Sequence, residues 1–476
     1  MLFTSIDFVL FMAALLGLFA VFRATGPRKA FLLVGSYIFY SWWDWRFSFL
    51  LAFVTALNYF SALRIEADPA SKKRTLLANC VVSLGLLAFF KYSAFLGQNL
   101  SGLSQVFGFH LELDALKKIV LPVGISFFTF HMLSYTIDVY RGKMKATSDW
   151  VDFAIFGSFF PQLVAGPILR ASDFLPGLAK PVKLHFDKEI LFLCLRGLFK
   201  KMIIADNISR IVDTVYSNPS QYPSTIIWFA AICYSVQIYC DFSGYSDIAI
   251  GLTKVFGIEL PLNFDRPYFA RNPSDFWARW HISLSTWLRD YLYIPLGGNR
   301  KGEFATLRNL MLTMLLGGLW HGASWNFVLW GFLHGAILVV HRLYTKFSGK
   351  VGSPDERGAG FWLSWGAMQY MVLLTWITFR ISDTEKMLVV LRKFVVFDFN
   401  FGLAGMGIGN LAIFQTAVLL AGFFAMHFLG FLKRERWEQI LARQSDVVGA
   451  LVCMVAGLLL YWLWPLGEAP FIYFQF

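Results

Sequence analysis

The sequence predicts an all-α protein that crosses a membrane many times, and three observations predict it. Of its 476 residues 57% are hydrophobic and only 15% charged, whereas a soluble chain carries about a quarter charged residues. Apolar runs of helix length recur along the chain, separated by short clusters of Lys and Arg. Within 309–341 two such runs flank a polar knot, Trp320-His321-Gly322-Ala323-Ser324-Trp325-Asn326. A span needs roughly 20 apolar residues, so the length accommodates about ten to twelve membrane elements, some of them broken or re-entrant. No stretch is polar and long enough to fold as a soluble domain. The reading is therefore one membrane domain over 1–476, with N-terminal helices at 1–150, a central core at 151–345 and C-terminal helices at 346–476.

The formal charge of +12 does not indicate nucleic acid, because the basic residues punctuate apolar runs as positive-inside topology requires. The five cysteines are scattered without a CxxC pair, which indicates neither a disulfide framework nor a thiolate metal site. No basic residue precedes the first apolar run, Ile6–Phe22, so a cleavable signal peptide is not expected.

The basic loops set the order of crossings. Ile6–Phe22 is followed by Arg23, Arg28 and Lys29; a span at about Phe31–Trp43 ends in Asp44-Trp45-Arg46; one at about Phe47–Leu63 is followed by Arg64, Lys72, Lys73 and Arg74. Both basic loops are expected in the cytoplasm, with the N-terminus outside. Leu76–Leu96 leads out and Ile119–Val139 returns to Arg141, Lys143 and Lys145. Residues 151–168 are interrupted by Pro161, Gly166 and Pro167, so a dip without a crossing is expected there. Ile190–Ala205 carries Arg196, Lys200 and Lys201, which suits snorkelling or an interfacial helix. Thr225–Leu252 is long enough to span; one further crossing is needed before it, by either 151–168 or 190–205.

Residues 254–308 hold eight Lys or Arg and five Asp or Glu, as a cytoplasmic stretch would. Arg342, Lys346, Lys350 and Arg357 give the far flank of 309–341 the same character. That segment is then expected to enter and leave on one side. Phe361–Phe379 goes out, Leu411–Leu432 returns to Lys433, Arg434 and Arg436, and Val447–Trp464 exits, leaving both termini outside.

His321 is the first candidate for chemistry. The run Leu310–Leu319 supplies about 15 Å of helix, which places His321 near mid-membrane. An ionisable group there is costly and is a functional candidate by default, and imidazole is the side chain suited to general-base work near neutral pH. Gly317, Gly318 and Gly322 leave the backbone free to break. Trp277, His281, Leu284 and Leu288 follow helical spacing, which puts His281 on the apolar face of a helix. Asp241 and Asp247 lie within and near the end of the Thr225–Leu252 span. An intramembrane carboxylate needs a partner such as Arg, His or a backbone N–H, and loss of Asp241 is expected to strand that partner's charge. His321 and His334 are thirteen residues apart, with no carboxylate or cysteine at ligand spacing, so a metal site with His281 is not expected. There is no G-x-S-x-G and no P-loop. Intramembrane His and Asp also occur in transporters and channels, and in a non-catalytic scaffold of a polymer-export complex.

The knot 320–326, together with Arg279-Trp280-His281-Ile282-Ser283-Leu284-Ser285, resembles the membrane-bound O-acyltransferase family. Tyr239-Cys240-Asp241-Phe242-Ser243-Gly244-Tyr245-Ser246-Asp247, the run 160–167 and Arg289–Gly298 narrow the resemblance. They point to the bacterial branch that contains the alginate O-acetylation membrane protein, with teichoic-acid D-alanylation and peptidoglycan O-acetylation proteins as relatives. The match is close over about 160–335. It implies a catalytic core at 151–345, helices arranged around a central tunnel or funnel, and His321 as the essential histidine. His281 takes the family's second polar position and would orient an intermediate or hold a thioester carbonyl. Asp241, Trp320, Asn326, Ser243 and Trp280 are expected to support the site. The resemblance further implies a cytoplasmic acyl donor, acetyl-CoA or an acyl-carrier protein thioester, with no covalently bound cofactor. A polysaccharide acceptor, a separate periplasmic transferase and a bacterial inner-membrane location follow from the same likeness.

Overall fold

A computed structural model describes residues 1–109, 111, 113–163, 166–349, 358–400, 409–433, 436–463 and 471–472 of the chain. The expectations that concern Val164, Ala165, Lys350, Arg357, Arg434 and Trp464 lie outside the described residues. No strand occurs among the described residues. Among the described residues, five helices are long and apolar enough to cross a membrane: Arg46–Ala67, Lys72–Val106, Ser224–Val255, Trp325–Ser348 and Leu411–Leu432. Ile6–Val21 and Asp446–Trp462 are shorter apolar helices. The protein is an all-α polytopic membrane protein. It divides into two compact units, Met1–Ile190 with Ile248–Pro261, and Leu191–Asp247 with Leu262–Phe476.

In the first unit the helices Ile6–Val21, Thr25–Asp44, Arg46–Ala67 and Lys72–Val106 follow one another, close to the apolar runs. The next begins only at Ile125, after Gly124 with φ 76°. Pro122 and that left-handed glycine end the extended approach six residues later than the apolar run suggests. Buried amides join three helices: Asn79 Nδ2 and the Thr136 hydroxyl both donate to Asn58 Oδ1, at 3.0 and 2.8 Å. Such polar contacts are the adhesive available where lipid removes the hydrophobic incentive to pack. The 151–168 segment is broken as expected. Trp150–Ser158 has nine residues, about 14 Å and too short to cross, and Phe160–Leu163 forms one further buried turn.

The helix Lys188–Leu198, in the second unit from Leu191 on, continues through a π-helical stretch, Phe199–Ala205, into Asp206–Ser217. This run is long enough to cross a membrane, and Arg196, Lys200 and Lys201 are each paired with a carboxylate. Arg196 pairs with Asp247 at 2.7 Å and with Glu438, and Lys200 reaches Asp247 at 2.8 Å. The expected exposure is replaced by internal ion pairs because each cation finds a carboxylate from another helix. Gly244 permits the approach: a Cβ there would lie 2.7 Å from the Gly197 carbonyl oxygen.

Residues 309–341 fold as an antiparallel helical hairpin, Glu303–His321 and Trp325–Ser348. Gly317 and Gly318 are helical, and the break falls later, at Gly322–Ser324. Gly318 serves close packing instead: a Cβ on it would come 3.1 Å from the Gly331 Cα. At the open end Arg342 Nε donates to Glu303 Oε1 at 2.7 Å, which ties the two flanks together.

Candidate active site

His321 is the last helical residue before the hairpin turn and is buried. Its imidazole lies edge-to-face with Trp320 at 5.0 Å, Trp330 at 5.0 Å and Phe379 at 5.2 Å between ring centroids. The Asn326 amide reaches across from the second hairpin helix and donates to the Thr378 carbonyl at 3.1 Å. It thereby fixes the end of Ala359–Arg380, which carries Phe379 against the imidazole. Trp320 packs directly on His321, whereas Asn326 acts on it only through the segment that carries Phe379.

His281 is placed differently from the expectation. The helix on which Trp277, His281, Leu284 and Leu288 share a face is two helices, Pro273–Arg279 and Ile282–Leu288, and His281 lies at the break with φ 43° and ψ 54°. A left-handed conformation costs a residue with a side chain about 1–2 kcal/mol. The neighbouring segment holds it on both sides: Asp265 N–H donates to the Arg279 carbonyl and Ile282 N–H to the Asn263 carbonyl, each at 2.9 Å. The periodicity misled because two collinear-looking half-helices preserve the same spacing across a kink.

Asn263 also fixes the imidazole. Its Oδ1 accepts from the Ser283 N–H at 3.3 Å and the Ser283 hydroxyl at 2.9 Å, and lies 3.1 Å from His281 Nδ1. An oxygen already accepting from a backbone N–H assigns the proton to Nδ1, the usual way in which one partner selects a tautomer. Nε2 then carries a lone pair, is buried, and has no hydrogen-bond partner among the described residues. In the neutral ring this nitrogen accepts hydrogen bonds. Holding a thioester carbonyl would need a donor at this nitrogen. The ring packs edge-on against Phe242 at 4.7 Å and lies 6.2 Å from Trp320. One indole therefore contacts both histidines.

Asp241 finds a backbone N–H, one of the partners expected of it, and a lysine in place of the expected Arg or His. Lys201 Nζ stands 2.6 Å from Oδ1, and the Ile472 backbone N–H donates to Oδ2 at 2.8 Å. Lys201 has a second carboxylate, Asp206, at 2.8 Å. Asp241 is thus a structural anchor one residue before Phe242, the ring that backs His281. The Ser243 hydroxyl is buried with no hydrogen-bond partner among the described residues. Trp280 is packed between Phe264 at 5.0 Å and Trp376 at 4.8 Å, so it fills space beside the break. His334 lies one turn beyond Trp330, 4.6 Å from its ring, and among the described residues no group of His, Cys, Asp and Glu stands at metal-ligating distance.

Asn263 and Lys201 were not singled out from the sequence. Lys201 was visible as a charge in an apolar run, but Asn263 sits in Pro261-Leu262-Asn263-Phe264 with no period to mark it.

The fold is that of a polytopic helical membrane protein, with two buried histidines that share one indole neighbour. The sequence model of the membrane-bound O-acyltransferase family matches residues 38–382, and the chain belongs to that family. It is 39% identical, over the full length of both chains, to a protein of Azotobacter vinelandii named probable alginate O-acetylase. It is 38% identical to the peptidoglycan O-acetyltransferase of Helicobacter pylori, over 77% of this chain and 73% of that one. Against the teichoic acid D-alanyltransferase of Bacillus subtilis the figures are 27% identity, 48% of this chain and 60% of the relative. The protein is an O-acyltransferase.

Proposed function

We propose that this enzyme moves an acetyl group from a cytoplasmic thioester across a bacterial inner membrane for O-acetylation of an exopolysaccharide such as alginate. The observation that carries this reading is the 39% identity to a probable alginate O-acetylase over the whole of both chains. Acetyl-CoA or an acyl-carrier thioester is the donor. Both termini lie outside, and a separate periplasmic transferase completes delivery to the polymer. Peptidoglycan is the second acceptor, since that relative is nearly as similar over three quarters of the chain.

His321 acts as the general base. Its imidazole takes the proton of the acceptor hydroxyl as the oxygen attacks the thioester carbonyl; the C–S bond breaks, and the thiolate leaves with the proton from the imidazolium. His281, its ring held by Asn263, accepts at Nε2 a hydrogen bond from a second donor on the acceptor molecule and so helps to orient it. The surrounding Trp and Phe rings exclude water, which would otherwise hydrolyse the thioester.

The test is a pair of assays. Cells lacking the chain are complemented and the O-acetyl content of exopolysaccharide and of peptidoglycan is measured separately. Proteoliposomes are then given labelled acetyl thioester. Loss of acetyl from peptidoglycan alone would replace the acceptor; no thioester turnover in the liposomes would sink the enzyme reading.

A further inference from the structure

We propose that a groove in the first unit, between Arg46–Ala67 and Lys72–Val106, binds one anionic glycerophospholipid, with its phosphate held by Arg64 and Arg74. The groove has a volume of about 610 Å³ and is lined by Phe53, Leu57, Phe60 and Val82 as well as by both arginines. Its chemistry is graded along its length. Two guanidinium groups stand at the end where one helix finishes and the next begins, and the walls beyond them are aromatic and aliphatic.

Neither Arg64 nor Arg74 has an ion pair or side-chain hydrogen bond among the described residues. The carboxylate that feels Arg64, Asp68, ties its Oδ1 to the backbone N–H groups of Ala70 and Ser71, at 3.0 and 3.4 Å. Glu66 is likewise engaged, accepting from the Ala146 N–H at 2.8 Å. Two forked donors are therefore left to an anion from outside the chain, and phosphate matches guanidinium geometry with paired hydrogen bonds. Exposed Lys73 adds charge at the same end.

The dimensions select a lipid over a free anion. From Phe53 to Arg64 the helix rises about 16 Å, half of a hydrocarbon core of about 30 Å, so the apolar wall matches a single leaflet. Of the uncharged polar residues on that wall, Ser61, Thr75 and Asn79, the Asn79 amide already donates to Asn58 and the Thr75 hydroxyl to the Ser71 carbonyl. The interior of the groove thus asks for hydrocarbon, and its mouth for an anion. The four-residue connection between the helices keeps the arginines together, and a cytoplasmic leaflet supplies anionic lipid to such basic clusters.

The experiment is native mass spectrometry of the full chain released from nanodiscs of equal phosphatidylglycerol and phosphatidylcholine. One phosphatidylglycerol per chain should be retained. The pair Arg64→Ala and Arg74→Ala should lower that retention about thirtyfold, whereas Arg23→Ala, at another exposed cation of the same unit, should leave it unchanged. The pair Arg64→Lys and Arg74→Lys guards against misfolding, since it keeps the charge and should retain part of the lipid. A Phe60→Trp reporter should be quenched by brominated-chain phosphatidylglycerol. Equal retention of the two lipids, retention unaffected by the alanine pair, or displacement by millimolar inorganic phosphate alone would each overturn the proposal.

Discussion

Oδ1 of Asn263 lies 3.1 Å from Nδ1 of His281, and the same oxygen takes both the N–H and the hydroxyl of Ser283. One amide therefore holds the helix break and the orientation of the imidazole at once. Asn263→Ala should strand the buried Nδ1–H and the Ser283 N–H, at about 1–3 kcal/mol for each orphaned group. Thermal stability should fall and transfer should be nearly lost. Ser283→Ala removes one donor without touching the imidazole contact and should keep most transfer. Equal activity of Asn263→Ala and the unmodified enzyme would show that the ring needs no orientation from this side.

The Lys201 triad reverses an expectation about Asp241. From the sequence, Asp241→Ala would strand a buried charge, but Lys201 keeps Asp206 at 2.8 Å after that substitution. Lys201→Met is the harsher change, because it leaves two carboxylates facing each other without their cation. Breaking a buried pair from one side costs about 3–5 kcal/mol, so Lys201→Met should be recovered at low yield. Asp241→Asn keeps an acceptor for the Ile472 N–H and should fold. Yield and melting temperature after detergent extraction decide the order, and a stable Lys201→Met beside an unfolded Asp241→Asn would contradict it.

The hairpin makes a topological prediction. Arg342 and Glu303 meet at its open end, so both flanks should lie on one side, the cytoplasmic one. In a cysteine-free background, Ser285→Cys and Ser348→Cys should both resist an impermeant thiol reagent added to spheroplasts and react in inverted vesicles. Labelling of Ser348→Cys from the periplasm would exclude the arrangement.

How much of this was legible in the sequence depended on the range of the interaction. Long apolar runs are local signals, and the Ile6–Val21, Arg46–Ala67 and Ser224–Val255 helices fall within a few residues of the expected places. The turn beyond His321 is also local, since Gly322 and Ser324 end one helix and begin the next. The kink at His281 is not: it is held by Asn263, eighteen residues earlier, and the apolar spacing survives it. Arg196 was plain as a charge, but its partners Asp247 and Glu438 lie 51 and 242 residues away. Nothing in the run 190–205 alone separates a paired cation from a snorkelling one.

His321 carries the decisive test. As a general base it should supply about 10²–10⁴-fold of rate, or roughly 3–5 kcal/mol of barrier. His321→Ala should express, bind the thioester and lose transfer by that factor. The imidazole touches three rings, Trp320, Trp330 and Phe379, so alanine also leaves a space, and some thermal stability should be lost with it. His321→Gln separates the two effects. Glutamine fills more of the space and forms hydrogen bonds, but it takes no proton near neutral pH. Its melting temperature should therefore recover toward that of the unmodified enzyme while its turnover stays with that of alanine. The measurement is acetyl release from labelled thioester by purified protein, with melting curves recorded on the same preparations. If His321→Gln recovers turnover together with stability, the histidine is a packing residue and the proton is taken elsewhere. His281 Nε2 would then be the first alternative, because Asn263 already orients that ring.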